Sequence, residues 1–203
     1  MGEYLHDEIF APLGMHSATF HPNNEQKQRL IPFYIYNQET GSLEARDKMF
    51  TDYHLCANYE GGGFGIYTTA KDYSKLADAI ACGGTAYNGY EVLKPETVDM
   101  FRDNWLDEEQ LKNFHNKMGH YGHGYGLGVC VLMDKNPRNF KCAEGVFGWG
   151  GAAGTKVYMN VKNRISIYYA QEVMGGPGGY TYEEHPHNKL LNMVYEILEG
   201  EWK

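Results

Sequence analysis

Apolar and polar residues alternate along two stretches in the C-terminal third of the chain. Val157, Met159 and Val161 alternate with Lys156, Tyr158 and Asn160, and Ile165, Ile167 and Tyr169 alternate with Arg164, Ser166 and Tyr168. A period of two is typical of a half-buried β-strand. Because a short turn at Lys162-Asn163 separates the two stretches, the pattern predicts a hairpin over about residues 155 to 173.

Other segments have the spacing of a helix. The run Thr69-Ala70-Lys71-Asp72 fits a capping box, and Cys82-Gly83-Gly84 is a stop signal. Between them, apolar residues recur at i, i+3, i+4 and i+7, namely Tyr73, Leu76, Ala77 and Ile80. A further helix is predicted from Lys94, with Pro95 in its first turn. The last predicted helix carries an apolar stripe made of Leu190, Leu191, Val194, Tyr195 and Leu198.

The rest of the chain gives weaker patterns. Leu5, Ile9 and Phe10 share a helical face that must end before Pro12, residues 16 to 60 read as loop and short strands, and Glu39-Thr40-Gly41-Ser42 reads as a turn. A short helix is predicted from Glu108 to Phe114, one strand from Tyr125 to Met133, and a loop at 175–179. Together these elements predict an α+β fold in a single domain, 1–203. It is helical and loop-rich to about residue 120, and residues 121–203 supply the sheet and terminal helix.

Composition narrows the function classes. The 203 residues carry a formal charge of -8 with a pI near 5.6, which argues against a nucleic-acid partner. The polar, acidic N-terminus is unlike a signal peptide, and no apolar run is long enough to span a bilayer, so the sequence as written predicts a cytoplasmic protein without a membrane partner. Cys56, Cys82, Cys130 and Cys142 form no C-x-x-C pair and are expected to be reduced, partly buried thiols.

A run of small residues, Phe147 to Thr155, leads into the predicted hairpin. Such a run lets another backbone, or a bound acyl group, approach closely. Taken alone, it favours a glycine-rich bend in which Trp149 packs into the core over a functional segment.

Several segments in a fixed order carry a family resemblance. They are Tyr4-Leu5 through Pro12-Leu13-Gly14-Met15, Glu60-Gly61-Gly62-Gly63-Phe64-Gly65, Val92 through Met100, and Trp149-Gly150-Gly151. In this order they resemble the C-terminal portion of the superfamily of serine β-lactamases, penicillin-binding proteins and family VIII carboxylesterases. The resemblance implies an antiparallel sheet flanked by helices. It also implies that the family's N-terminal strands and first catalytic helix precede this chain, so that the fold is incomplete.

The resemblance further implies a serine hydrolase mechanism. Members use a Ser nucleophile in S-x-x-K, a Tyr or Ser element, and K-T-G on an edge strand. Esterase-like members often carry W-G-G there, which makes Trp149, Gly150, Gly151 and Ala152 the candidate substrate-binding residues. The N–H of Ala152 would form one arm of an oxyanion hole. Since an indole cannot replace the Lys that binds a substrate carboxylate, Trp149 favours esters or small acyl substrates over β-lactams.

No catalytic nucleophile or general base can be assigned in this sequence. Its four serines, Ser17, Ser42, Ser74 and Ser166, have no Lys three residues later. Thr68-Thr69-Ala70-Lys71 satisfies T-x-x-K at a predicted helix start, where capping explains it. Tyr158-Met159-Asn160 satisfies Y-x-N, but on a strand beyond W-G-G. Two hypotheses remain open. The chain is either part of a hydrolase that needs an N-terminal segment for activity, or a non-catalytic remnant that binds or oligomerises.

Two other motifs are rejected, and no cofactor or metal is predicted. Gly148-x-Gly150-x-x-Ala153 mimics a dinucleotide fingerprint but precedes a strand, not a helix. His120 and His123, and the run from Glu183 to His187, lack the spacing of a helical zinc motif, so these histidines are expected to be exposed in loops.

If the family's N-terminal strands are absent, the chain is expected to associate with another chain. Without the family's N-terminal strands, the hairpin would present an unpaired edge, and the stripe of the terminal helix would lack a cover. We therefore expect a homo-oligomer, or a complex with the N-terminal segment, weakened by Leu191→Glu.

Overall fold

The computed structural model describes residues 1–46, 60–174 and 185–200. Its helices are α1 (Gly2–Leu5, continued by a π-helical turn at His6–Phe10), α2 (Asn24–Gln28), α3 (Ala70–Ala81), α4 (Pro95–Asp99, continued by a 3₁₀ turn at Met100–Arg102), α5 (Glu108–Met118) and α6 (Pro186–Leu198). The strands are β1 (Tyr34–Asn37), β2 (Ser42–Ala45), β3 (His123–Gly126), β4 (Val129–Leu132), β5 (Phe147–Gly148), β6 (Lys156–Asn160), β7 (Ile165–Tyr169) and β8 (Val173–Met174).

The larger sheet confirms the predicted α+β class. Within the described residues it has the order β3-β4-β5-β6-β7, and all its pairs are antiparallel. The predicted hairpin is β6 and β7, in the register Met159↔Ser166. A smaller sheet, β2-β1-β8, is mixed, because β1 and β8 run parallel.

Helices cover both faces of the larger sheet. On one face, Ala77 and Ala81 of α3 pack with Val98 and with the inward side chains of the strands, which are Val131, Phe147, Val157 and Met159. On the other face, Leu191 and Tyr195 of α6 pack on Leu132, Tyr158 and Ile167. The apolar positions that repeat every two residues in the strands and every 3.6 residues in the helices thus pack together in two hydrophobic layers, one on each face of the sheet.

The N-terminal segment forms a third layer on the outer side of α3. Phe10, Leu13 and Met15 are buried there with Ala79. Asp72 in the first turn of α3 fixes this layer, because its carboxylate accepts from the Ser17 N–H at 2.7 Å and from Lys75 at 2.9 Å. Burial by itself would raise the pKa of Asp72, but the bonds from Lys75 and Ser17 outweigh it and hold the pKa below its usual value.

Most predicted helix boundaries are confirmed. Thr69 caps α3 by accepting from the Asp72 N–H at 3.1 Å, although the Asp72 side chain turns to Ser17 and Lys75 instead of completing a capping box. Pro95 occupies the first turn of α4, and the first helical segment ends before Pro12. Helix α5 runs four residues beyond the predicted Phe114, to a left-handed Gly119.

Three predictions differ from the structure. The single strand predicted from Tyr125 to Met133 is two strands, because Leu127 and Gly128 adopt φ of 50° and 83° and form a tight turn. The predicted loop at 16 to 60 also contains α2, which Asn23 caps. The stripe of α6 is covered within the chain, since Leu191 is 1% exposed; its outer member Leu198 is exposed. The predicted loop at 175–179 lies outside the described residues.

Candidate active site

The segment from Trp149 to Thr155 connects β5 to β6 as a tight turn. Its frame is made by hydrogen bonds from Val157 N to Trp149 O (3.0 Å), from Gly151 N to Thr155 O (2.8 Å) and from Gly154 N to Gly151 O (3.0 Å). At its entry, a Cβ on Gly148 would lie 1.9 Å from the Val157 carbonyl oxygen. The close approach of two backbones that the small residues predicted is therefore present, and at position 148 it requires glycine.

Ala152 lies at the exposed tip of this turn. Its N–H has no hydrogen-bond acceptor among residues 1–46, 60–174 and 185–200. A backbone N–H that lies in an exposed turn and has no acceptor there is the type of donor that stabilises an oxyanion. Gly151 N, by contrast, is already bonded to Thr155.

The resemblance implied that the W-G-G segment lies on a strand at the edge of the sheet. The structure does not place it there. Strand β5 lies between β4 and β6. However, Gly148 pairs with Cys130, and β4 begins only one residue earlier, at Val129. Beyond Trp149 the chain therefore extends past the end of β4 and pairs only with β6, through a bridge from Gly150 to Lys156. The backbone beyond Trp149 therefore has a strand partner on one side only, although β5 itself is an inner strand of the sheet.

Aromatic rings surround Trp149, whose side chain is partly solvent-accessible. The Tyr125 ring lies edge-on at 5.1 Å between centroids, and the His120 ring lies at 5.8 Å. Phe114 of α5 stacks in turn on His120 at 4.5 Å. The β3–β4 hairpin and α5 thus position the indole beside the exposed turn.

Lys156 is a residue of this site that sequence reasoning missed. Its ammonium lies 5.7 Å from the Trp149 ring centroid and 5.4 Å from that of Tyr158. Burial lowers its pKa. The bridge from Gly150 to Lys156 across the β5–β6 turn brings Lys156 next to W-G-G, and no pattern in the sequence indicates this register.

The Y-x-N match is structural, as predicted. Tyr158 and Asn160 point to the same face of β6 and are buried against α6. The Tyr158 hydroxyl donates to Oδ1 of Asn188 at 2.6 Å, and Asn160 Nδ2 donates to the Tyr195 hydroxyl at 2.6 Å. Both side chains are engaged in packing α6 onto the sheet.

The other rejected motifs are also explained by the fold. Thr69 of the T-x-x-K match caps α3. The glycines of the apparent dinucleotide fingerprint precede the strand β6, so no helix N-terminus is available for a phosphate.

His185 is exposed, as the sequence predicted, but the other described histidines of these two motifs are less exposed than predicted. His123 begins β3 and is 7% exposed, because that position faces Phe140 in the core. His187 is half-buried in α6, where burial, helped by Lys156 and His185, lowers its pKa to about 4. Glu183 and Glu184 lie outside the described residues. Within the described part of the chain, no group of three potential metal ligands is found.

Two of the cysteines are buried free thiols. Burial raises the pKa of both Cys130 and Cys142 to about 12, which makes them poor nucleophiles although both lie near the site. Cys82 is a free thiol at the surface, and Cys56 lies outside the described residues.

A model of the beta-lactamase family matches residues 1–185. The chain belongs to the beta-lactamase family. Protein Rv1367c of Mycobacterium tuberculosis (strain ATCC 25618 / H37Rv) is 26% identical over 157 residues, which are 75% of this chain and 38% of that protein. The uncharacterized protein MT1414 of strain CDC 1551 / Oshkosh matches with the same values.

Solved structures show the same beta-lactamase-like fold. Unliganded selenomethionyl simvastatin synthase (LovD) from Aspergillus terreus superposes with a TM-score of 0.79 at 17% identity, over 97% of this chain and 50% of that chain. EstCE1, a hydrolase with promiscuous acyltransferase activity, gives 0.71 at 20% identity, over 95% and 49%. The octameric penicillin-binding protein homologue from Pyrococcus abyssi gives 0.60 at 16% identity, over 98% and 37%.

This member of the family therefore spans about half the length, or less, of the proteins it resembles. No described helix combines the length and apolar character needed to cross a bilayer.

Proposed function

We propose that this chain is the C-terminal portion of a beta-lactamase-like serine hydrolase that cleaves small acyl esters through an acyl-enzyme. The observation that carries the proposal is the unbonded N–H of Ala152 at the tip of the W-G-G turn. This donor would hold the carbonyl oxygen of the substrate as it becomes an oxyanion. Trp149 and its aromatic neighbours would contact the rest of the acyl group.

The nucleophile would come from a segment outside this chain, since no serine here is followed by Lys at the required spacing. In that mechanism, a Ser hydroxyl attacks the ester carbonyl while the Lys and Tyr of the family motifs accept its proton. The alcohol leaves, and water then hydrolyses the acyl-enzyme. The residues of this chain would bind and polarise the acyl group, and would not transfer protons.

We infer a single domain over 1–203, with a cytoplasmic location, that pairs either with the N-terminal segment or with a second copy of itself. Support comes from β7, whose outer edge pairs with no strand of the described residues. An unpaired edge is a template for another chain.

The test is complementation. The chain alone is expected neither to hydrolyse p-nitrophenyl esters nor to be labelled by a fluorescent penicillin. An N-terminal segment containing S-x-x-K, supplied in trans or by fusion, is expected to create esterase activity. Labelling of any Ser or Thr in the chain alone would contradict the proposal. Absence of esterase activity after complementation would favour the alternative, a non-catalytic binding or oligomerising remnant.

A variant pair assigns the role of Ala152 in the complemented enzyme. Ala152→Pro removes the N–H and is expected to lower kcat by about 10²- to 10³-fold. Ala152→Ser keeps the N–H and should retain activity. Equal activity of the two variants would show that this N–H is not an oxyanion donor.

A further inference from the structure

Lys156 begins β6 and crosses to the W-G-G segment through its backbone bridge to Gly150. The side chain lies over Gly150: a Cβ at position 150 would be 3.0 Å from Lys156 Cδ and 3.8 Å from Nζ. The glycine therefore leaves the space that the lysine stem occupies. This contact fixes the ammonium beside the exposed turn.

The ammonium is held by rings and not by a counter-ion. It lies against Trp149 and Tyr158, and in the described ranges no carboxylate or other acceptor bonds to it. Among the described residues, Lys75 pairs with Asp72 and Arg102 pairs with Asp99, but Lys156 forms no ion pair. A partly desolvated cation gains from aromatic faces, yet an anion would satisfy its hydrogen-bond donors far better.

The position of Lys156 also changes the expectation drawn from Trp149. The sequence predicted a site without a cation, because an indole replaces the family's lysine. The fold instead brings a lysine from the neighbouring strand to the same segment. Ala152 follows Gly150, which the Lys156 side chain overlies, by two residues, so the Ala152 N–H and the Lys156 ammonium flank the same turn.

We propose that Lys156 binds a carboxylate of the substrate, so that this site selects acyl esters that carry a free carboxylate. The inference rests on the proposed function for the identity of the substrate. Carboxylate binding itself, however, is a property of this chain and is measured without catalysis. The measurement of carboxylate binding can therefore be interpreted even if complementation fails.

The experiment uses the whole chain labelled with ¹⁵N and follows the Trp149 indole and Ala152 amide resonances by NMR. The probes are monomethyl succinate, which carries one carboxylate, and dimethyl succinate, which carries none. Monomethyl succinate is expected to shift both resonances saturably, and dimethyl succinate is expected to shift neither. Absence of binding by the monoester, or equal binding by the diester, would overturn the proposal.

Variants of Lys156 test whether its ammonium binds the carboxylate of the monoester. Lys156→Met is expected to weaken monoester binding by at least about 10-fold, the loss expected for a charge-assisted hydrogen bond. Lys162→Met, an exposed lysine in the β6–β7 turn, is the matched control and should bind like the unmodified chain. If Lys156→Met fails to fold, Lys156→Gln supplies the same comparison. Unchanged affinity in a folded Lys156 variant would assign binding elsewhere and refute the inference.

Discussion

The hydroxyl of Tyr158 donates a 2.6 Å hydrogen bond to Oδ1 of Asn188, and this bond joins β6 to α6 inside the core. Asn188 is 1% exposed, and its Oδ1 also lies 3.0 Å from Nδ1 of His187. The Y-x-N match thus marks the attachment of the terminal helix to the sheet.

Tyr158→Phe is expected to lower the free energy of unfolding by about 1 to 3 kcal/mol, because it leaves a buried amide oxygen without its tyrosine donor. Urea denaturation measures the loss. Tyr87→Phe is the control, since Tyr87 is 92% exposed. Identical midpoints for the two variants would contradict the assigned role of the bond.

Leu191→Ala is expected to destabilise the chain by about 2 to 5 kcal/mol, because Leu191 fills the layer between α6 and the sheet. Leu198→Ala, on the exposed side of the same helix, should change stability little. Thermal unfolding of both variants checks this difference. Leu191→Glu therefore tests the core of the chain and is not a clean probe of an interface. Similar melting temperatures for the two alanine variants would mean that α6 does not pack as described.

Gly148→Ala is expected to prevent normal packing of β5 on β6, because the new Cβ would meet the Val157 carbonyl oxygen at 1.9 Å. The loss of unfolding free energy should exceed the roughly 0.5 kcal/mol that bounds most surface changes. Gly151→Ala is the matched variant: its Cβ would come no closer than 3.9 Å to Thr155. Chemical denaturation compares the two, and a well-folded Gly148→Ala variant would disprove the close approach.

His187 makes stability depend on pH. Its pKa is about 4 in the fold against 6.5 for the free side chain, so between these values the unfolded chain binds more protons. Stability should therefore fall as pH decreases from about 6.5 to about 4, by on the order of 2 kcal/mol after allowing for the accessible part of the ring.

The measurement for His187 is the pH dependence of urea unfolding, compared with His187→Gln. Because carboxylates titrate over the same range, the difference between the two proteins isolates the histidine. Parallel stability curves between pH 7 and pH 4 would rule out a contribution from His187.

Association through β7 is expected for the isolated chain. The β7 edge has no neighbouring strand in the described residues, whereas the stripe of α6 is already covered. Light scattering at micromolar concentration should therefore report a dimer or larger species. A monodisperse monomer would contradict this expectation, and addition of the N-terminal segment should dissociate the oligomer if both compete for the same edge.

The order of elements could be predicted because their signals are local. The alternation around Val157 and Ile167 and the capping residue Thr69 specify a hairpin and a helix start through neighbours in sequence. The split of the predicted strand at Leu127 was missed, because a non-glycine residue with positive φ leaves no clear sign in the pattern.

By itself, the sequence determined the α+β class, the family resemblance and the candidate segment from Trp149 to Ala152, since these depend on periodicity and on the order of short motifs. Only the tertiary structure decided that Tyr158 and Asn160 face α6, that the stripe of α6 is covered within the chain, and that Lys156 lies beside Trp149. The physical reason is that each of these depends on strand register and on which face of the sheet a helix covers. Contacts between residues distant in sequence fix both.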